Sequence, residues 1–99
     1  MIAMRPSEAL QQHRSEVLAL ASQHHVRSLQ VFGSVARGED TDSSDLDLIA
    51  EFEEGATLFN AFALQESLEA LLKHRVELAT REGLHPLIRE QVLREARML

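Results

Sequence analysis

The apolar run Val31-Phe32 stops at Gly33-Ser34, and ten residues later a second apolar run opens on Asp45-Leu46-Asp47. Between them lies a polar connection with a second glycine, Gly38. In an extended chain residues i and i+2 share a face, so Asp45 and Asp47 present their carboxylates side by side. Leu46, Leu48, Ala50 and Phe52 turn the other way, toward a core. The aspartate face becomes apolar only at Ile49. A chain that must bury one side of this strand and keep two adjacent acids on the other has little choice of arrangement.

Two carboxylates at that spacing repel each other and are stabilised by a divalent cation that prefers hard oxygen ligands. Mg²⁺ is the natural guest. It keeps several waters and completes its shell with substrate phosphates, so a two-aspartate site predicts a nucleoside triphosphate rather than a closed protein cage. Gly33-Ser34 suits that ligand. Glycine allows close backbone approach to a phosphate, and a serine opening a helical turn offers its hydroxyl and exposed N–H groups.

The charge balance narrows the partners further. The 99 residues carry a formal net charge of -6, yet residues 39 to 54 hold eight acids and no Lys or Arg, while the rest of the chain has eight acids against ten bases. An acidic lobe beside the motif argues against direct contact with a nucleic-acid backbone and favours metal ions or a basic protein surface. With 44% hydrophobic residues, the chain is expected to form one domain over residues 1–99 with one core. No run is long and apolar enough for a membrane span, and Met1 to Pro6 lacks the apolar segment of a signal peptide, so cytoplasm is the expected location. The absence of cysteine leaves the chemistry to oxygen and nitrogen ligands.

Along the chain, Pro6-Ser7-Glu8 opens a helix predicted to run from about Ser7 to Gln23. His24-His25 stands where a glycine stop is usual. As neighbours on a helix diverge by about 100 degrees, the pair is a poor chelate. Arg27 to Phe32 reads as the first strand, Ser34 to Arg37 as a short helical turn, and Gly38 to Ser44 as an exposed loop. Arg37 suits phosphate oxygens, with an ion pair to Glu39 or Asp40 as the alternative. Asp45 to Phe52 is the second strand. Thr57 is the expected N-cap of a helix reaching about Lys73. The apolar surface of that helix, broadened by Ala61, Ala63 and Leu64, covers the sheet or a partner. Arg75 to Thr80 alternates as a third strand with Glu77 on its polar side. Pro86 opens a last helix, expected from about Leu87 to Arg97, with Ile88, Val92, Leu93 and Ala96 facing the core.

Gly33-Ser34, ten residues, then Asp45-Leu46-Asp47 resembles the Gly-Ser-x10-Asp-x-Asp signature of the polymerase-beta-like nucleotidyltransferase superfamily. The wording Phe-Gly-Ser-Val-Ala-Arg-Gly-Glu and Ser-Asp-Leu-Asp-Leu is similar to its shortest branch, the minimal nucleotidyltransferase (MNT) proteins, over nearly the whole chain. The resemblance implies an α/β fold with a small three-stranded mixed sheet and helices packed against it. It implies catalytic and metal-holding roles for Asp45, Asp47 and Glu77, nucleotide binding by Gly33, Ser34 and Arg37, two Mg²⁺ ions and ATP as substrate. Glu77 stands where the family usually has aspartate, and His85 where it often has another. The extra methylene moves the Glu77 carboxylate by roughly 1.5 Å, and misplacement of that order can cost about a hundredfold in rate. MNT proteins are commonly antitoxins paired with HEPN-domain toxins, so the resemblance implies transfer of AMP to a toxin tyrosine. The alternative it leaves is an inactive fold that neutralises its toxin by contact. A homodimer or a hetero-oligomer with the toxin fits either reading.

Overall fold

The computed structural model describes residues 4–99. Its elements run α1 (Pro6–Gln12), α2 (Arg14–Gln23), β1 (Val26–Phe32), α3 (Gly33–Arg37), β2 (Leu46–Phe52), α4 (Leu58–Leu72), β3 (Val76–Ala79), α5 (Pro86–Glu95) and β4 (Arg97–Met98). The sheet order is β3-β2-β1-β4. β1 pairs antiparallel with β2 and with β4, and β2 pairs parallel with β3, so the sheet is mixed.

Strand alternation divides the sheet into two faces. Leu29, Val31, Leu46, Leu48, Ala50 and Val76 point to one side and are buried against α1, α2 and α4, which contribute Leu10, Val17, Leu64 and Leu68 among others. A smaller cluster of Ile49, Leu84 and Val92 forms on the opposite face, where α5 packs. The sheet is therefore covered on both sides along part of its length, and its polar residues stay accessible near the start of β2. Among the described residues no helix is long and apolar enough to cross a membrane.

Four expectations from the sequence need correction. The sheet has four strands rather than three: the last helix ends at Glu95, Ala96 turns extended (φ −61°, ψ 142°), and Arg97 and Met98 pair with Val31 and Gln30. A two-residue strand is too short to show alternation, and Arg97 continues the helical pattern before it. The first helix is two, broken at His13, whose backbone (φ −108°, ψ 21°) is not helical. Gly38 to Ser44 is not wholly exposed, because Asp40 is only 5% accessible. Ile88, expected in the core, is 48% exposed, and Val92 carries the contact instead.

Other local signals hold. The Thr57 hydroxyl accepts from the Asn60 N–H while the Asn60 side chain accepts from the Thr57 N–H, closing a capping box at the start of α4. His25, after α2, adopts φ +63°, the left-handed conformation that glycine usually supplies at a helix end. Replacing Leu68, fully buried between α4 and the sheet, by alanine is expected to cost about 2–5 kcal/mol of unfolding free energy in urea titrations. Thr57→Ala should cost about 1 kcal/mol by the same measurement.

Candidate active site

The β1–β2 ladder sets Phe32 opposite Asp47, so the chain leaving β1 at Gly33 comes back against the aspartate strand at its first residues. Gly33 has φ +72°, and a Cβ built on it would collide with Asp47 Oδ2 and lie 3.2 Å from Asp47 Cγ. Glycine is required there twice over, for its backbone conformation and for the space the carboxylate occupies. Ser34 follows as the second residue of α3, and its carbonyl accepts from the N–H groups of Gly38 and Glu39, the latter at 2.8 Å. Gly38 takes the left-handed conformation that ends the helix (φ 72°, ψ 25°).

The ten-residue connection is pinned at further points. The Ser7 N–H donates to Asp40 Oδ2 at 2.9 Å, joining the loop to the start of α1 across 33 residues of sequence. Burial raises the Asp40 pKa, but hydrogen bonds from the Ser7 backbone and side chain outweigh it and hold the carboxyl below its ordinary value. The Thr41 N–H donates to Ser44 Oγ at 2.8 Å and the Ser44 N–H returns to the Thr41 carbonyl at 3.0 Å. Asp45 follows directly from this closed turn.

In the parallel β2–β3 ladder Asp47 lies beside Glu77. The Asp47 pKa is pushed up to about 6, first by burial, then by its hydrogen bond with Glu77 and by the charges of Glu77 and Asp45, while Arg37 acts in the opposite direction. The structure thus brings Gly33, Asp45, Asp47 and Glu77 to one end of the sheet. Among the described residues, however, no three histidine, aspartate or glutamate side chains converge closely enough to cage a metal ion. The expected ligand set of Asp45, Asp47 and Glu77 is therefore not closed in this geometry: Asp47 and Glu77 meet, and Asp45 acts on them through its charge. The donors are hard oxygens, and a cation beside Asp47 would offset the burial and the neighbouring charges that raise its pKa. The arrangement fits Mg²⁺, which uses few protein carboxylates and fills its shell from phosphates and water.

Arg37, at the end of α3, is engaged by Glu39 Oε1 at 2.7 Å and by Glu95 Oε2 of α5 at 3.2 Å. Of the two partners weighed for it, Glu39 is found, and Asp40 is turned to Ser7 instead. Glu95 and the structural role of Asp40 were not legible beforehand, since each partner is distant in sequence and no local pattern signals it.

An edge of acids facing a glycine-serine corner, on a mixed sheet backed by helices, defines a nucleotidyltransferase domain. The model of the nucleotidyltransferase domain family matches residues 10–99, and the chain belongs to that family. It is 42% identical over 83 residues to protein adenylyltransferase MntA of Thermococcus cleftensis, covering 84% of this chain and 81% of that one. A solved structure provisionally assigned as a minimal nucleotidyltransferase matches with a TM-score of 0.83 at 49% identity, covering 94% of this chain and 95% of its own. The fold is also similar to that of one chain in the complex between tri-AMPylated Shewanella oneidensis HEPN toxin and MNT antitoxin, with a TM-score of 0.65 at 16% identity over 89% of this chain and 69% of that one. The resemblance read from the sequence is borne out at the level of the family and its minimal branch.

The raised Asp47 pKa fixes a pH dependence. The folded state holds this proton more tightly than the unfolded chain, whose aspartate titrates near 3.9, so the group's stabilising contribution is full below about pH 4 and lost as pH rises through about 6. In metal-free protein Asp47→Asn, which removes the charge and keeps the shape, should leave Tm nearly unchanged at about pH 4 and raise it by several degrees at about pH 7.5. Gly33→Ala should lower stability by about 1–3 kcal/mol at either pH, measured by the same thermal scans.

Proposed function

We propose that this chain is a Mg²⁺-dependent protein adenylyltransferase that transfers AMP from ATP to a tyrosine of a HEPN-domain toxin and thereby acts as its antitoxin. The observation that carries the reading is the meeting of Asp47 and Glu77, with Asp45 beside them, against the Gly33 corner. MntA of Thermococcus cleftensis, named a protein adenylyltransferase, and the AMPylated HEPN toxin in its MNT complex support the reaction and the partner.

In this reaction the tyrosine oxygen attacks the α-phosphorus of ATP, the bond from that phosphorus to the bridging oxygen breaks, and pyrophosphate leaves with the electron pair. Asp45 and Asp47 would hold two Mg²⁺ ions, which when bound neutralise the triphosphate and lower the pKa of the attacking hydroxyl. Gly33 and Ser34 orient the triphosphate, so that its freedom is lost on binding and not at the transition state. Glu77, whose neighbour in the ladder is Asp47, completes the acidic edge and would receive the phenolic proton. Arg37 neutralises phosphate charge once the ligand competes with Glu39 and Glu95 for its guanidinium.

Glutamate at position 77 favours a second reading, in which the fold neutralises the toxin by contact alone. One experiment separates the two. With Mg²⁺ and ATP labelled on the α-phosphate, a HEPN-domain toxin from the same genome should become labelled. Asp45→Asn with Asp47→Asn should reduce labelling by at least about a thousandfold, and Glu77→Gln by about a hundredfold. Labelling that persists in the double variant removes the proposed catalytic site; neutralisation at full strength without labelling supports the contact mechanism.

A further inference from the structure

Three large apolar side chains at the start of α4 face solvent: Leu58 is 74% exposed, Phe59 84% and Phe62 64%. Leu58 and Phe62 border a groove of about 370 Å³ whose far wall is Leu78, Ala79 and Gly83. At Phe52 and Thr80 this groove adjoins a second, more polar cleft of about 500 Å³ that runs onto the opposite sheet face. The sequence assigns the apolar excess of α4 to sheet or partner, and the sheet side is filled by the buried Leu64, Leu68 and Leu72 with Leu71 beside them. Exposed aromatics of this size are not needed for the fold.

The surroundings say what would cover them. Glu53 and Glu54 lie in the turn that leads from β2 to α4, Glu66 lies one turn beyond Phe62 on the same side, and Glu82 lines the adjoining cleft; all four are exposed. Among the described residues lining the two grooves, Arg81 is the one base. A second copy of this chain would bring like charges together around the aromatics, which disfavours self-association. A partner with a basic rim around apolar side chains meets both features, as when a helix lays anchors into a groove.

We propose that Leu58, Phe59 and Phe62, with the groove beside them, form the docking surface for a protein partner whose contact face is apolar at its centre and basic at its edge. Given the function proposed above, that partner is the toxin. Phe52, at the α4 end of the groove, is about 17 Å from Asp47 by strand rise, and Leu78, although it follows Glu77 in β3, packs on the other face of the sheet, so docking leaves the acidic edge open to nucleotide and acceptor.

The test is co-expression and co-purification with a HEPN-domain toxin from the same genome, followed by affinity measurement. Phe59→Asp with Phe62→Asp should weaken the complex by at least about a hundredfold while Tm and ATP binding stay unchanged. Glu53→Lys with Glu54→Lys, which spares the apolar centre, should weaken it about tenfold and flatten its salt dependence. Binding retained within about threefold in both variants overturns this surface and leaves the adenylyltransferase reading standing. A wild-type dimer in light scattering that the double aspartate variant splits overturns it in favour of self-association. If the wild type forms no complex at all, the toxin partnership fails, and the docking surface with it.

Discussion

Asp47 sits opposite Phe32 in one ladder and beside Glu77 in the other, and nearly everything at the acidic end of the molecule follows from those two registers. The first folds Gly33 onto the Asp47 carboxylate, and the second adds Glu77 to the same edge. A slip of one residue in β2 would turn both aspartates into the core and expose Leu46 and Leu48, which are fully buried. The hydrophobic face therefore enforces the placement of the acids. Burial of Leu46, Leu48 and Val76 against the helices offsets the electrostatic cost that is visible in the raised Asp47 pKa.

Much of this was legible because it is local or strictly periodic. The alternation of Leu46 to Phe52 gave the strand and its two faces, Thr57 gave the helix start, and the Gly33 to Asp47 spacing gave the corner. What escaped the sequence depends on distant partners or on too few residues. The buried Asp40 answers the Ser7 N–H from the other end of the motif loop, and Glu95 reaches Arg37 from the last helix. The strand Arg97–Met98 exists because Gln30 and Val31 offer it an edge, and two residues have no period of their own. The break at His13 likewise interrupts a stretch whose helical pattern continues through it.

The two ends of β2 differ in character. At its start, Asp40, the Thr41 to Ser44 turn and the ion pairs of Arg37 fix the loop and α3 around the acids, so that the site is held by contacts to α1 and α5 as well as by the sheet. At its far end the chain leaves through an acidic turn into a helix whose first turns are apolar and uncovered. Chemistry at one end and partner contact at the other would let a small domain act on an acceptor that it could not enclose.

The central claim is that the acids at the start of β2 and the Gly33-Ser34 corner together hold magnesium-loaded ATP. A crystal structure with Mg²⁺ and a non-hydrolysable ATP analogue tests it most directly. The account predicts metal on Asp45 and Asp47 and the triphosphate along Gly33 and Ser34. Nucleotide bound elsewhere on the chain, or a triphosphate at the corner with both aspartates turned away from the metal, would contradict it.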